Sequence, residues 1–478
     1  MAKNRLPDPE QDFPAWYVEV VKRADMAEHG LARGTMIIKP YGWAIWENIQ
    51  RVMDDRFKAT GHENLMFPLL IPEKVFAAEA EHVEGFAPEV WVVTHGGGEE
   101  LEEKLYVRPT SEAMVWNAYG RWIQSYRDLP LLYNQWCNVM RYELRTRLFL
   151  RTSEFYWQEG HTAHATKDEA WREALQMLEV YREVTEDVLA IPVLAGRKSE
   201  SERFAGAEET LPIEGMMRDT KALQCGTSHF LGQNFARAYD VKFLNEKGEQ
   251  EYAWGTSWGF SARMVGGVIM AHGDDRGLRL PPAVAPVQTV VVPIYRSDDE
   301  RGRVLEVATK VRDGLVDSGI RARLDDRDQY RPGYKFSEWE LKGVPVRVEI
   351  GPRDVDADAV TVARRDGGDK EQRSTSDAVA GMSDLLDSVQ DALHKDALSF
   401  REANTHEAGD FDEMVAGLER AGGFWISAWC GELACEQRVT EASKATIRVL
   451  PLEREDPGAA CVVCGKPGVE RATWAKAY

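Results

Sequence analysis

One stretch of the chain decides the fold, and it reads Asn134-Gln135-Trp136-Cys137-Asn138-Val139-Met140-Arg141-Tyr142-Glu143. We expect a strand here, then a polar loop over residues 144–151 and a second strand over residues 152–158. Residues i and i+2 of a strand share one sheet face, so Arg141 and Glu143 should point the same way. Arginine suits bidentate contact with phosphate or carboxylate, although a structural ion pair of Arg141 with Glu143 explains the pattern equally well.

A long amphipathic helix precedes this stretch. Four apolar residues recur every four positions and share one helical face: Ile45, Ile49, Met53 and Phe57. We therefore predict a helix over residues 42–57 that ends near Gly61, followed by a strand over residues 65–72. Downstream, Arg263 stands in the segment 259–267, where small residues flank a second predicted helix.

The order of elements divides the chain into three parts and gives an α+β fold class. Strands at 131–142 and 152–158 and a helix at 167–189 predict an antiparallel sheet with surrounding helices in residues 1–285. A proline-rich connector over 280–286 ends this part. Alternating strands and helices over 289–350 predict an α/β domain with a mostly parallel sheet at 286–395. A polar helix over 382–403 leads into a final small α/β domain at 396–478.

The composition is that of a globular protein, with 44% hydrophobic and 29% charged residues among 478. Residues 1–14 are unlike a secretory signal, and no apolar run approaches membrane-spanning length, so we expect a cytoplasmic protein without a membrane partner. A formal net charge of -20 argues against a nucleic-acid partner. Ten Lys and Arg residues between Arg321 and Arg365 nevertheless allow a local basic face, or a merely solvated surface.

Four of the six cysteines lie near the C-terminus: Cys430, Cys435, Cys461 and Cys464. Two close pairs of thiols suit tetrahedral zinc, so we predict a structural zinc site. Reduced thiols without a metal are the alternative. Cys137 and Cys225 stand alone, so the cysteines do not form a dense disulfide framework.

The helix with its Pro68 strand, the Arg141 stretch and the Arg263 segment together resemble the three signature motifs of class II aminoacyl-tRNA synthetases. The resemblance narrows to prolyl-tRNA synthetases through two strings, Val107-Arg108-Pro109-Thr110-Ser111-Glu112 and Gln224-Cys225-Gly226-Thr227-Ser228-His229. Similar strings at 157–161, 203–207 and 339–345 extend the match over nearly the whole chain. The chain is therefore similar to an enzyme that activates L-proline with ATP and transfers it to the 3′ end of tRNA(Pro).

The resemblance also implies residue roles. The catalytic residues would be Arg141, Glu143 and Arg263. The proline site would be formed by Thr110, Glu112, Arg141, Trp157, His161 and His229. The ATP site, with Mg²⁺ accompanying the nucleotide, would be formed by Arg141, Glu143, Arg151, Thr152, Phe155, Gln224, Thr227 and Arg263. Any one of the aromatic residues, considered alone, is more typical of core packing.

Three further expectations come from the same resemblance. The α/β domain would read the anticodon through Glu340, Lys342, Arg347 and Arg353. The protein would form a homodimer, with helix 42–57 and the Pro68 strand as the candidate interface. The terminal Tyr478 resembles the C-terminus of the archaeal and eukaryote-like branch, whose last carboxylate points toward the active site, although a frayed tail is the ordinary alternative.

Only about 120 residues separate Arg141 from Arg263, so no editing domain is expected between them, and misactivation of alanine should be measurable. Two rival functions remain: a synthetase for another small amino acid, and a non-catalytic RNA-binding synthetase paralogue. The second rival would be expected to lack the phosphate-binding arginines, and Arg141, Arg151 and Arg263 are all present.

Overall fold

A computed structural model describes residues 5–77, 90–454 and 456–478. The strands of the first part are β1 (Ala27–His29), β2 (Met36–Ile38), β3 (Glu63–Asn64), β4 (Leu70–Pro72), β5 (Trp91–Gly96), β6 (Glu99–Val107), β7 (Leu131–Met140), β8 (Glu154–His164), β9 (Val193–Ala195), β10 (Glu209–Met216), β11 (Ala222–Gly232), β12 (Lys242–Leu244), β13 (Gln250–Tyr252) and β14 (Trp254–Ser261). Its helices are α1 (Phe13–Arg23), α2 (Pro40–Ala59), α3 (Glu73–Phe76), α4 (Glu112–Trp122), α5 (Lys167–Glu183), α6 (Asn234–Ala238) and α7 (Arg263–His272).

The centre of this part is a seven-stranded sheet in the order β3-β7-β8-β14-β11-β10-β9. β7 and β8 form a long antiparallel pair from Leu131 opposite Ala163 to Met140 opposite Glu154. Helix α5 packs on one face of the sheet, where the rings of Phe57, Tyr181 and Trp258 contact one another. The apolar face of α2 is buried in the same core. The predicted antiparallel sheet with surrounding helices is confirmed.

The strand predicted over residues 65–72 was wrong in its first half, because only Leu70–Pro72 is strand. Pro68 has no N–H to donate to a ladder, and the amide of Phe67 donates to the Gln135 side chain at 2.9 Å. Met66 is 82% exposed, so this segment crosses the surface. The strand predicted over 131–142 likewise ends early, at Met140, so Arg141 lies beyond it and the strand-face argument for Arg141 and Glu143 does not hold.

The second part is a five-stranded sheet in the order β16-β15-β17-β18-β19. Its strands are β15 (Thr289–Pro293), β16 (Ala322–Leu324), β17 (Val346–Ile350), β18 (Ala359–Arg364) and β19 (Glu371–Ser374). Its helices are α8 (Asp298–Asp317), α9 (Pro332–Leu341), α10 (Pro352–Asp356), α11 (Thr375–Ala380) and the long α12 (Met382–Ala403). The prediction of a mostly parallel sheet was wrong. β15 pairs in parallel with β16 and β17, but β17–β18 and β18–β19 are antiparallel.

The third part is a four-stranded sheet in the order β20-β21-β23-β22, packed with two helices. Its strands are β20 (Thr405–Glu407), β21 (Phe424–Trp429), β22 (Thr446–Val449) and β23 (Glu470–Ala475), and its helices are α13 (Phe411–Arg420) and α14 (Leu433–Ser443). β23 leads to the C-terminus, where Tyr478 lies against the core of the first part. Among the described residues, no helix is both long enough and apolar enough to span a membrane.

Candidate active site

Two adjoining cavities open on the face of the seven-stranded sheet. The first, of about 240 Å³, contains the side chains of Glu112 and Glu159, and we call it the glutamate chamber. The second, of about 220 Å³, is lined by Arg151 and by Tyr478, and we call it the arginine chamber. The residues that line both chambers are Arg141, Phe155, Ser261 and Arg263. A ligand that occupies both would therefore pass Arg141.

Strand alternation and one bulge bring the residues of the glutamate chamber together. Phe155, Trp157 and Glu159 alternate along β8 and share one sheet face. On β11, Gln224 and Thr227 are three residues apart, a spacing that regular alternation would place on opposite faces. The register of β10 against β11 skips Cys225, and this bulge lets both residues line the chamber.

Gly259 on β14 gives Trp157 the room to form the chamber wall. A Cβ atom at Gly259 would lie 2.9 Å from a ring carbon of Trp157, closer than real Cβ contacts. The guanidinium of Arg141 lies 5.4 Å from the ring centroid of Phe155 and 5.6 Å from that of Trp157. Its Nε also donates to the carbonyl of Pro109 at 3.0 Å, which fixes the position of the side chain.

The carboxylates of the glutamate chamber are held by buried donors. Glu159 is 1% exposed and accepts hydrogen bonds from the Ser111 amide at 3.0 Å and from Gln135 Nε2 at 2.6 Å. Thr110 donates to Glu112, which is 3% exposed. The two acidic side chains thus form a fixed negative wall that faces a small space.

His161 lies behind this wall rather than among the lining residues. Its Nε2 is 3.2 Å from Glu159 Oε2. Burial disfavours the charged imidazole, but contact with Glu159 and the charge of Glu112 prevail and raise the pKa of His161. Burial likewise opposes the Glu159 carboxylate, and the contacts with His161 and Ser111 hold its pKa well below its usual range.

His229 is the neutral counterpart of His161. Burial, followed by the positive charges of His161 and Arg141, lowers the pKa of His229 to about 3. Its Nδ1 lies 3.0 Å from Thr210 Oγ1 and its Nε2 lies 3.2 Å from Thr227 Oγ1. The ring stacks on Phe204, with centroids 4.4 Å apart. His229 is therefore an uncharged, ordered part of the wall.

The arginine chamber has the opposite electrostatic character. Arg141, Arg151 and Arg263 line it, and Glu143 is the one acidic side chain among its lining residues. Burial and the neighbouring charges of Arg141 and Arg151 lower the pKa of Arg263, whose Nε donates to the Leu150 carbonyl at 3.0 Å. Three mutually repelling cations in one cavity predict a polyanionic ligand.

Glu143 contacts Arg151 and accepts from the Arg145 amide at 2.9 Å. The alternative of a structural ion pair between Arg141 and Glu143 was wrong, because Glu143 pairs with Arg151 instead. Thr152 is buried beside it, and its hydroxyl donates to the Glu154 carbonyl at 2.6 Å. The terminal Tyr478 is also ordered here. Its hydroxyl donates to Asp219 at 2.6 Å, and the ring lies 5.0 Å from Lys221 Nζ.

Several lining residues were missed as site residues by sequence reasoning: Glu159, Glu202, Phe204, Thr210 and Ser257. Glu159 could have been found, because it continues the alternation of Phe155 and Trp157. Glu202 ends a three-residue 3-10 helix and Phe204 lies in the loop after it, and neither carries a periodicity that would place it in the chamber.

The residues expected to read the anticodon separate into two groups. Glu340 accepts from Arg276 at 2.8 Å, and Lys342 Nζ lies 5.4 Å from the ring centroid of Tyr41, so both contact the first part of the chain. Arg347 lies on β17, where it pairs with Glu349 at 2.9 Å and covers the Phe336 ring. Arg353 is exposed on α10.

The four C-terminal cysteines converge on one point. The sulfur atoms of Cys430, Cys435, Cys461 and Cys464 all lie within 4.8 Å of one another. The Sγ of Cys430 is 3.5 Å from that of Cys435 and 3.7 Å from that of Cys464. A tetrahedral zinc ion with Zn–S bonds of about 2.3 Å requires sulfur separations of about 3.8 Å, so the cluster has the size of a zinc site.

The antiparallel sheet, the paired chambers and the order of the three parts define a class II aminoacyl-tRNA synthetase. Family models agree with this class: the class II core domain of synthetases for G, H, P, S and T matches residues 91–272, and the anticodon binding domain matches 288–385. The C-terminal domain of prolyl-tRNA synthetases matches residues 411–478.

Relatives narrow the class to one family. The chain is 53% identical to the proline–tRNA ligase of Chlorobium phaeobacteroides (strain BS1), over 98% of each chain. It is 49% identical to that of Amoebophilus asiaticus (strain 5a2), over 99% of this chain and all of the relative. The crystal structure of the Cryptosporidium parvum prolyl-tRNA synthetase with halofuginone and AMPPNP superimposes with a TM-score of 0.94 and 36% identity, covering 98% of this chain and 99% of that one. The chain belongs to the prolyl-tRNA synthetase family.

Proposed function

We propose that the glutamate chamber binds L-proline and the arginine chamber binds ATP, so that the chain acts as a proline–tRNA ligase. The observation that carries this proposal is the junction of the two chambers at Arg141. Proline offers a secondary ammonium, a carboxylate and a small apolar ring, which match the acidic wall, Arg141 and the aromatic wall. A triphosphate matches the three arginines.

In the first step, a proline carboxylate oxygen attacks the α-phosphorus of ATP. A P–O bond to the amino acid forms while the bond to pyrophosphate breaks. Arg141 lies between the two chambers and neutralises charge on both reactants, and Arg263 stabilises the departing phosphates. Positioning and charge neutralisation supply most of the acceleration.

Glu143 is the residue of the arginine chamber that could hold Mg²⁺ with ATP, since carboxylate oxygen is a preferred magnesium ligand. When bound, the ion would neutralise part of the phosphate charge. In the second step, the 3′-terminal ribose hydroxyl of tRNA(Pro) attacks the carbonyl carbon of the prolyl-adenylate. The ester bond to the ribose forms, the bond between the carbonyl carbon and the phosphate oxygen breaks, and AMP leaves, its phosphate oxygen taking the hydroxyl proton. No dedicated base is proposed for it. A His161→Ala variant that activates proline but does not transfer it would contradict this assignment.

The decisive experiment is proline-dependent exchange of pyrophosphate into ATP, with and without tRNA(Pro), against a panel of amino acids. We expect exchange with proline in the absence of tRNA, and slower but measurable exchange with alanine. Residues 141–263 are all described, and they contain no inserted domain to clear mischarged alanine. A larger specificity constant for another amino acid would reject proline as the substrate, and no exchange at all would favour the non-catalytic paralogue.

For the anticodon, we propose that Arg347 and Arg353 bind tRNA, with Glu340 and Lys342 at the boundary between the two domains. Arg347→Glu should weaken tRNA binding and leave pyrophosphate exchange unchanged. Arg303→Glu, an exposed arginine of the same domain, is the matched control. Unchanged tRNA affinity in Arg347→Glu would contradict the assignment.

We propose that the four cysteines hold a structural zinc ion, since their sulfur atoms are spaced for tetrahedral coordination. Metal analysis after gentle purification should give one zinc per chain. Less than half an equivalent would overturn this assignment.

We further propose a cytoplasmic homodimer. The apolar face of α2 is buried in its own core and is not free for an interface. Met66, Leu69 and Leu70 are exposed and support an interface along the Pro68 segment. Sedimentation should show a mass of two chains, and a monomer would contradict the proposal.

A further inference from the structure

A short segment, residues 196–204, connects the third part of the chain to the glutamate chamber. It follows β9 and ends where Glu202 and Phe204 line the chamber. Neither residue lines the arginine chamber. The contacts of this segment with the C-terminal domain can therefore affect the shape of the glutamate chamber without affecting the arginine chamber.

The backbone of the segment docks directly on the end of β22. The Arg197 amide donates to the Leu450 carbonyl at 2.7 Å, and the Leu450 amide donates back to Arg197 at 2.8 Å. A Cβ atom at Gly196 would lie 2.1 Å from the Leu450 carbonyl oxygen, so a side chain at this position would push the two backbones apart. The glycine is required for the close approach.

A buried charge cluster adds side-chain contacts to the backbone contact. Glu214 is fully buried, and its Oε1 accepts from Lys198 Nζ at 2.8 Å and from Arg448 Nη2 at 2.7 Å. Two cations on one carboxylate leave an excess positive charge. The Glu202 carboxylate, 3.8 Å from Arg448 Nη1, offsets this excess at the edge of the chamber. Arg448 of the C-terminal domain thus contacts a lining residue of the chamber.

The far end of the segment is fixed by the chamber wall. The Phe204 amide donates to Thr210 Oγ1 at 3.0 Å, and the Phe204 ring stacks on His229. Near the middle, Ser199 Oγ donates to Glu436 Oε1 of α14 at 2.8 Å. The position of Phe204 therefore depends on contacts at both ends of the segment.

We propose that Arg448 is a positioning residue for the amino-acid side of the active site, through which the C-terminal domain holds Glu202 and Phe204 against the bound substrate. The inference rests on the proposed function, because it assigns the amino acid to the glutamate chamber. Loss of the Arg448 contact should therefore change the KM for proline and leave the KM for ATP unchanged.

The test is Arg448→Gln in the full-length chain. Glu214 keeps Lys198 as a partner, so the variant should fold. In pyrophosphate exchange, the KM for proline should rise about tenfold while kcat and the KM for ATP stay within about twofold, which is the pattern of lost ground-state and transition-state binding. Arg471→Gln, an arginine on β23 that contacts Glu407 at the surface, is the matched control and should behave as the wild type.

A second readout needs no substrate. Trypsin cleavage after Arg203 reports how firmly the segment is held, and it should be about tenfold faster in Arg448→Gln than in the wild type or the Arg471→Gln control.

Should Arg448→Gln fail to fold, Ser199→Ala releases the same segment at a separate contact and should give the same two changes. Equal rises in both KM values, or an unchanged KM for proline with unchanged cleavage, would overturn the inference. A wild type without proline-dependent exchange would count against the proposed function, and cleavage would still decide whether Arg448 holds the segment.

Discussion

The two chambers meet at Arg141 but are built in opposite ways. In the glutamate chamber, the carboxylates of Glu112 and Glu159 are almost fully buried, and Glu159 is satisfied by fixed donors from Ser111 and Gln135. In the arginine chamber, three of the charged side chains are arginines, and Arg151 remains 56% exposed. A small zwitterion makes few contacts, so its binding depends on polar groups that are already ordered before it arrives. A polyanion suits a cluster of cations in which Glu143 is the one acidic side chain and pairs with Arg151.

The largest effect on activity should come from Arg263, which lines both chambers. Arg263→Gln keeps a polar side chain that can donate hydrogen bonds, but it is shorter and lacks the charge that we propose faces the leaving phosphates. We expect kcat/KM for pyrophosphate exchange to fall about 1,000-fold, the upper range for loss of one preorganised transition-state contact. Arg237→Gln, a surface arginine of the same domain, should have no effect. A fall below tenfold would show that Arg263 does not face the reacting phosphates.

The next largest effect should come from the acidic wall. Glu112→Gln removes one buried negative charge that would receive the proline ammonium. A charge-assisted hydrogen bond contributes about 1.5–3 kcal/mol, so the KM for proline should rise about 10- to 100-fold. The KM for ATP should change by less than about threefold, because Glu112 does not line the arginine chamber. A parallel rise in both constants would mean that the chambers do not bind separate ligands.

Arg151→Gln should raise the KM for ATP and not the KM for proline, and the rise should be smaller than that caused by Glu112→Gln. Its side chain is more than half exposed, so water screens its charge, and we expect its contribution to ATP binding to be modest. We expect the KM for ATP to rise about threefold to tenfold, with the KM for proline unchanged. Measurement of both constants under the conditions used for Glu112→Gln gives the direct contrast. A larger effect on proline than on ATP would contradict the assignment of the chambers.

The smallest predicted effect is a pH dependence confined to the proline side. His161 has a raised pKa, so the stability that its contact with Glu159 contributes is present in full below about pH 6.5 and is lost as the pH rises through the raised value. Protonated His161 also competes with the proline ammonium for the acidic wall. The KM for proline should therefore fall a few-fold as the pH rises through that value, and the KM for ATP should not.

His161→Gln provides the control for this pH dependence. The variant cannot titrate at this position, so its KM for proline should be nearly flat over the same range. His229 has a pKa of about 3 and remains neutral throughout, so it adds no pH dependence above pH 6. A pH profile for proline that is the same in His161→Gln and in the wild type would assign the dependence to another group.

Much of the fold could be predicted because its elements carry periodic signals. The apolar spacing of α2 and the alternation along β8 are local patterns, and both correspond to elements of the structure. The strand over 65–72 was wrong because one side-chain acceptor, Gln135, captures the Phe67 amide. The mixed sheet of the second part was not predicted, because β18 follows only the five-residue helix α10 and β19 follows no helix. Neither connection is long enough to be the crossover that joins parallel strands, and only the tertiary structure shows this.

The sequence by itself determined the class and family, through strings of residues that keep their spacing, and it determined most residue types of the two chambers. Only the tertiary structure decided which residues face each chamber. His161 lies behind the wall, Glu143 pairs with Arg151, and Phe204 reaches the chamber from a loop without periodicity. The physical reason is that a strand or helix repeats a local geometry that sequence spacing reveals. A loop instead takes its position from distant partners, such as the contact of Arg448 with Glu202, which lie 246 residues apart in the sequence (448 − 202).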